Sequence, residues 1–262
     1  MTDTAVDAAR KALGPVGVCL PVSFTATPSV ESQREAVGRL ERAGYGAVWT
    51  NEVIGKDALV QLATLLGVTE RMVFGTCIAN IWARPAQTMH AAAAQLAQAY
   101  PGRFVLGLGV GYREQAASVG REFGKPLATM RDYLQEMQAP TFPPAPDAPY
   151  ARIVAANGPK MLALAGEAAD GALPATMPPE LTARARRQLG PDKLLVVGVS
   201  VAAAGDEDHA KATARETVSD VKEHLAAGAD HVTLLLGIGG EFAAGVDQLE
   251  RLAPALVTDA VA

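Results

Sequence analysis

The stretch PGRFVLGLGVGY, residues 101–112, sets Gly107, Gly109 and Gly111 at alternate positions of an otherwise strand-like run. Bare backbone at this spacing invites a close approach, and a nucleotide phosphate is the first candidate. The dinucleotide fingerprint needs G-x-G-x-x-G opening a helix, followed by an acid after the next strand. Here the pattern is G-x-G-x-G, position 112 is tyrosine, and no helix is expected to start at once. Two readings stay open: a neighbouring backbone comes close to the strand, or the glycines let a flat ligand lie at its end. Asn157-Gly158-Pro159-Lys160 is a second candidate. It leads from a strand into a helix whose first turn suits Pro159, and backbone N–H groups at a helix start attract anions. The chain has two cysteines, Cys19 and Cys77, each in an apolar, β-like run. Two such residues make neither a disulfide framework nor a metal site. They read as reduced core thiols of a cytoplasmic protein. His209 and His224 lie in a charged helical stretch, are expected to face solvent, and without further ligands make no metal site.

These residues must be held by an alternation of two periods. Short apolar or β-branched runs at 17–21, 47–50, 72–78, 104–110, 152–157, 171–176, 194–201 and 231–237 read as buried parallel strands. Helical patterns follow each, at 29–43, 57–67, 86–99, 127–138, 159–169, 179–189, 206–227 and 243–256. Gly44, Pro85 and Pro101-Gly102 punctuate the early helices, and Asp206 suits an N-cap of the seventh. Eight strand–helix units in 262 residues are the arithmetic of an α/β fold of the (β/α)8 TIM-barrel type, with a doubly wound sheet as competitor. The proline-rich stretch 139–150 reads as an extended surface connection inside a single domain covering 1–262. Barrel active sites lie at the C-terminal ends of the strands.

Composition narrows the function classes. Hydrophobic residues make up 49% of the chain, enough for a sizeable core. The formal charge is -5 and the pI about 5.4, which with no basic stripe argues against a nucleic-acid partner. The first residues, MTDTAVDAARK, carry acids and no apolar stretch, so they do not read as a secretory signal. No run has the length and apolarity of a membrane span.

On the stretches 44–72, 74–110, 124–137, 156–175 and 227–236, the sequence resembles the luciferase-like monooxygenase superfamily, and within it the actinobacterial branch that uses the deazaflavin coenzyme F420. The segment FGTCIANIWARPAQTMHAAAAQLAQAYPGRFVLGLGV, 74–110, is the most specific. The resemblance implies a bulged third strand whose non-proline cis peptide, here Cys77-Ile78, meets the central ring of the cofactor, with Ala79 and Asn80 beyond it. It implies that Gly109, Val110 and Gly111 form a floor clearing space for that ring. Asn157, Gly158, Pro159 and Lys160 would hold the phosphate-bearing side chain, flanked by Thr176 and Met177, and the glycines of 237–240 could complete the cradle or merely form a turn. Glu52 would lie near the polar rim of the cofactor. Phe24, Trp82 and Arg84 would line the substrate pocket; Trp82 could equally cap the barrel top, and Arg84 could meet the anionic tail of the cofactor or form a surface pair. A homodimer is also implied.

Two departures stand out. Relatives place a histidine after the strand-two acid and a glutamate after the strand-four glycines; here these are Val53 and Tyr112. Tyr112, a donor rather than a base at neutral pH, is then the nominated catalytic acid together with Glu52. Relatives also carry an extra segment before the last strand, where this chain runs through 206–230 as one long charged helix. The resemblance therefore implies hydride transfer between F420 and a small organic substrate. The alternatives are an FMN-dependent monooxygenase of the same family, and a barrel that has lost the redox step and acts as a binding protein or cofactor-free enzyme.

Overall fold

Each apolar run bounded by turn residues becomes a parallel strand, and each amphipathic segment becomes a helix laid over the strands. The computed structural model describes residues 4–23, 26–53, 55–202 and 207–257; Phe24, Asp206 and the side chain of His209 lie outside the described residues. The elements are α1 (Ala5–Leu13), β1 (Val16–Cys19), α2 (Val30–Arg42), β2 (Ala47–Thr50), α3 (Ala58–Leu66), β3 (Val73–Thr76), β4 (Ala79–Asn80), α4 (Ala86–Ala99), β5 (Phe104–Gly109) and α5 (Arg113–Ser118). They continue with α6 (Pro126–Glu136), β6 (Ala151–Ala155), α7 (Pro159–Ala168), β7 (Gly171–Leu173), α8 (Pro179–Leu189), β8 (Leu194–Val201), α9 (Glu207–Ala226), β9 (His231–Leu236) and α10 (Phe242–Val257).

The sheet runs β3-β2-β1-β9-β8-β7-β6-β5-β4, and a further β3–β5 pairing closes it. β3 meets β5 through Phe74↔Phe104 and Gly75↔Val105, and β4 meets the same strand through Ala79↔Leu108 and Asn80↔Gly109. They are two halves of one stave, interrupted at Cys77-Ile78. The result is the eight-stave (β/α)8 barrel expected from the sequence. The 139–150 connection carries no regular secondary structure.

Strand alternation sorts the core into two layers. Outward residues such as Val18, Val48 and Leu106 pack beneath the helices, whereas Cys19, Trp49, Ile153, Leu173 and Val196 fill the interior. The two largest interior rings are matched by glycines. A Cβ at Gly75 would fall 2.3 Å from the Trp49 ring, and one at Gly17 would fall 2.7 Å from His231 Nε2. The Trp49 indole N–H donates to His231 Nε2 at 3.0 Å, so the other ring nitrogen carries the proton and donates to the Gly14 carbonyl at 2.7 Å. Burial pushes the His231 pKa down to about 4.

Helix α1 was not anticipated. Thr4 caps it, and Val6, Ala9 and Leu13 form its buried face, packed against the β6 and β8 side of the barrel. A nine-residue helix offers too few repeats of the pattern to stand out from sequence. The long α9 helix is present, but one expectation on it is corrected. His224 is buried, with Nδ1 at 2.8 Å from the Thr182 hydroxyl of α8. The packing of α8 on α9 removes it from solvent.

Candidate active site

The staves end at a mouth that stays open. Val196, Gly198 and Ser200 share the inward parity of β8, and Ser200 is exposed while the rest of that strand is buried. The inward residues near the same end of other staves, Cys77, Ala155 and Leu235, are only half-buried. The interior is therefore only partly covered at the end of the barrel where this fold does its chemistry.

One wall is the loop entering α7. Asn157, Gly158, Pro159 and Lys160 are all exposed. Gly158 is the N-cap and no side chain caps the helix, so the first turn presents free N–H groups to whatever lies outside. The Asn157 amide holds this loop to its neighbour: Nδ2 donates to the Ala175 carbonyl at 3.2 Å, and Oδ1 accepts from the Ala175 N–H at 2.9 Å. Thr176 follows with a positive φ of 56°, its Oγ1 3.3 Å from Ser200 Oγ. Met177 is half-buried beside it.

A second wall, one stave removed from β6 across β5, is the interrupted stave. The Cys77-Ile78 peptide is cis, as the resemblance implied. Cys77 N–H donates to the Thr50 carbonyl at 2.7 Å, and the Ile78 carbonyl accepts from the Glu52 N–H at 3.0 Å. The glycines of β5 answer to this stave. A Cβ at Gly107 would fall 2.0 Å from the Thr76 carbonyl oxygen, and one at Gly109 would fall 2.6 Å from Ile78 Cγ1. The Thr76 hydroxyl also donates to the Gly107 carbonyl at 2.7 Å. At Gly107 and Gly109 the space left by bare backbone is taken by the neighbouring stave and Ile78, and at Gly111, whose φ of +55° suits glycine, a Cβ would fall 2.0 Å from Gln115 Oε1. Val110 beside it is half-buried, and its carbonyl accepts from the Trp82 indole at 2.7 Å. Trp82 is buried and packs on Phe123.

Glu52 does not stand at an open rim. It is 4% exposed. Its oxygens accept from Ala58 N at 3.0 Å, Asn80 N at 2.7 Å and the Arg84 guanidinium. Arg84 also reaches Asp57 at 2.8 Å. The surface pair considered for Arg84 from sequence does not describe it: Glu52 and Arg84 are a buried ion pair bracing the stave after its break. Asn80 closes the same network, its Oδ1 accepting from Trp82 N at 3.0 Å. Tyr112 is 74% exposed, and its N–H donates to Gln115 Oε1 at 2.8 Å.

One residue near the mouth escaped the sequence reading. Lys56 donates to Thr50 Oγ1 at 2.7 Å and to Asn51 Oδ1 at 2.9 Å, and burial pushes its pKa below the ordinary lysine range. Elsewhere, a cavity of about 430 Å³ lies between His90, Tyr150, Arg152 and the 139–150 connection, beside the N-terminal ends of β6 and β7 and away from the mouth. Among the described residues no three or more His, Cys, Asp or Glu gather as a metal site. No described helix is long and apolar enough to cross a membrane.

Comparison with known proteins places this geometry. A Mycobacterium tuberculosis protein bearing the name coenzyme F420-dependent oxidoreductase Rv3520c is 29% identical over 194 residues, 62% of this chain and 56% of that protein. The chain thus spans about half the length of that relative. An F420-dependent secondary alcohol dehydrogenase solved with an F420-acetone adduct superposes with a TM-score of 0.72 at 16% identity, covering 93% of this chain and 99% of the other. The oxygenating constituent of 3,6-diketocamphane monooxygenase of Pseudomonas putida, solved with FMN, gives 0.70 at 12% identity, covering 94% and 98%. The luciferase-like monooxygenase family model matches residues 15–251, and the chain belongs to that family.

Proposed function

We propose that this chain is an F420-dependent oxidoreductase that transfers a hydride between the deazaflavin and a small organic substrate at the open mouth of the barrel. One observation carries the reading: the mouth, ringed by Ala155 and the exposed Ser200, is flanked by the uncapped start of α7. A planar ring fits among small inward side chains, and a phosphate-bearing chain fits against free N–H groups. The name of the M. tuberculosis relative favours F420. When bound, the deazaflavin supplies the hydride chemistry.

The residues of the chain would do the holding and the proton handling. The backbone of Cys77, Ile78 and Ala79, with Val110 and Gly111 at the end of the adjacent strand, would face the ring. Asn157, Gly158, Pro159, Lys160, Thr176 and Met177 would hold the phosphate-bearing tail. Glu52 and Arg84 act as positioning residues, because their mutual bonds fix Asn80 and the stave after its break. Tyr112, exposed just after β5, would give the proton to the substrate. Lys56 is a second donor, since burial makes its proton easier to release than that of a solvated lysine. Alignment in such a site is worth about 7–11 kcal/mol in favourable cases, so the absence of a histidine at Val53 leaves the reaction accessible.

The FMN-bound structural neighbour sustains a second reading, a flavin monooxygenase. Side-by-side fluorescence titration of the purified chain with F420 and with FMN separates them. Saturable binding of F420 and none of FMN is expected. The reverse result assigns the monooxygenase reading, and failure to bind either overturns the redox assignment.

A further inference from the structure

We propose that the cavity beside the 139–150 connection is a second ligand site, separate from the mouth, that takes a small zwitterion: a free α-amino acid with an apolar side chain. The cavity measures about 430 Å³, a size typical of small-molecule sites. Arg152 and Asp170 are the two charged residues on its lining. The β6–β7 register sets Ile153 beside Gly171, and Ile153 packs in the barrel interior. Arg152 and Asp170, one position earlier, are therefore neighbours that face outward. Opposite charges so placed ordinarily pair, yet these turn apart. Asp170 Oδ2 accepts from the Arg152 backbone N–H at 2.8 Å, and Arg152 Nη2 donates to the Ala168 carbonyl at 3.1 Å. Arg152 Nε is buried with no hydrogen-bond partner. A guanidinium that makes one such bond and no ion pair among the described residues is undersatisfied, and a carboxylate is the acceptor that matches it.

The rest of the lining decides what else the ligand carries. A simple anion would meet the Asp170 charge, and a simple cation would meet that of Arg152. A molecule with both an ammonium and a carboxylate sets each against its opposite. The other lining residues are neutral, and Met137, Pro140, Pro144 and Ala145 give the cavity an apolar side. His90 and Tyr150 form a braced wall: Nδ1 and the phenol oxygen lie 2.7 Å apart, and the Tyr150 ring packs on Phe104. Burial and the Arg152 charge hold the His90 pKa below its ordinary value, so the imidazole adds no charge at neutral pH. The cavity lies by the N-terminal ends of the staves, so its occupation does not depend on the redox reading of the mouth.

Isothermal titration calorimetry of the full chain, without cofactor, tests the site with L-phenylalanine and L-leucine. Hydrocinnamate, which lacks the ammonium, and phenethylamine, which lacks the carboxylate, serve as half-charged probes. Phenylalanine or leucine should saturate one site per chain. Each half-charged probe should bind at least about tenfold more weakly, as expected when a charge-assisted hydrogen bond is lost. Arg152→Met and Asp170→Asn should each weaken binding by a similar factor; the asparagine keeps an acceptor for the Arg152 N–H, so the strand pairing stands. Ala145→Trp, on the connection outside every helix and strand, should fill the cavity and abolish binding. Saturable binding of neither amino acid, a half-charged probe binding as tightly as phenylalanine, wild-type affinity in Arg152→Met or Ala145→Trp, or loss of binding once F420 is saturating would each overturn the proposal.

Discussion

The two ends of the barrel use the same staves and the same inward parity, yet they finish in opposite ways. At the N-terminal end the interior is filled by the Trp49–His231 pair, with α1 laid alongside through Leu13, so that charge is excluded and every ring nitrogen is bonded. At the C-terminal end the inward positions of β6 and β8 shrink to Ala155, Gly198 and Ser200, and Ser200 meets solvent. An inward residue is a packing residue only where something closes over it. The interrupted third stave shows the transition: below the break Gly75 yields to a tryptophan, and above it a buried ion pair takes over from apolar packing.

That contrast can be broken at either end. The largest effect is expected from Arg84→Met, which leaves the Glu52 carboxylate buried and unpaired. Loss of a partner from a buried pair costs about 3–5 kcal/mol, read as a lower urea midpoint. A Glu52→Gln, Arg84→Met double variant should recover part of the loss. Next comes Leu13→Ala on α1, where a buried leucine truncation costs about 2–5 kcal/mol. It should lower the melting temperature and leave ligand binding at the mouth unchanged; a binding defect would blur the division between the ends.

Acid sharpens the comparison further. The pKa of His231 is about 4 in the folded chain, against roughly 6.5 when unfolded. As pH falls the unfolded chain takes up this proton first, so the contribution is complete above the unfolded value. It is lost between those two pKa values, by up to ~3 kcal/mol. Urea unfolding at a series of pH values, compared with His231→Asn, isolates that slope from the carboxylates. The smallest effect is expected from Tyr112→Phe. An exposed rim hydroxyl changes stability by no more than about 0.5 kcal/mol, and a larger shift would mean the rim is part of the packed structure.

Much of the frame was legible because parallel staves declare themselves as short apolar runs. All eight staves of the barrel were anticipated, and the cis peptide sat where the resemblance put it. What escaped depends on residues far apart in the chain. Glu52 and Arg84 lie 32 positions apart, and nothing local says that one will bury the other. The β5 glycines were legible as bare backbone, but their use depends on how sharply the neighbouring stave bends.

The claim that the mouth, and not the cavity beside the 139–150 connection, takes the ligand is tested most directly by hydrogen–deuterium exchange of the whole chain with and without F420. Slower exchange is expected in peptides covering 77–84, 109–115 and 155–160, with 139–150 unchanged. Protection confined to 139–150, or none at a saturating concentration of F420, would contradict the account.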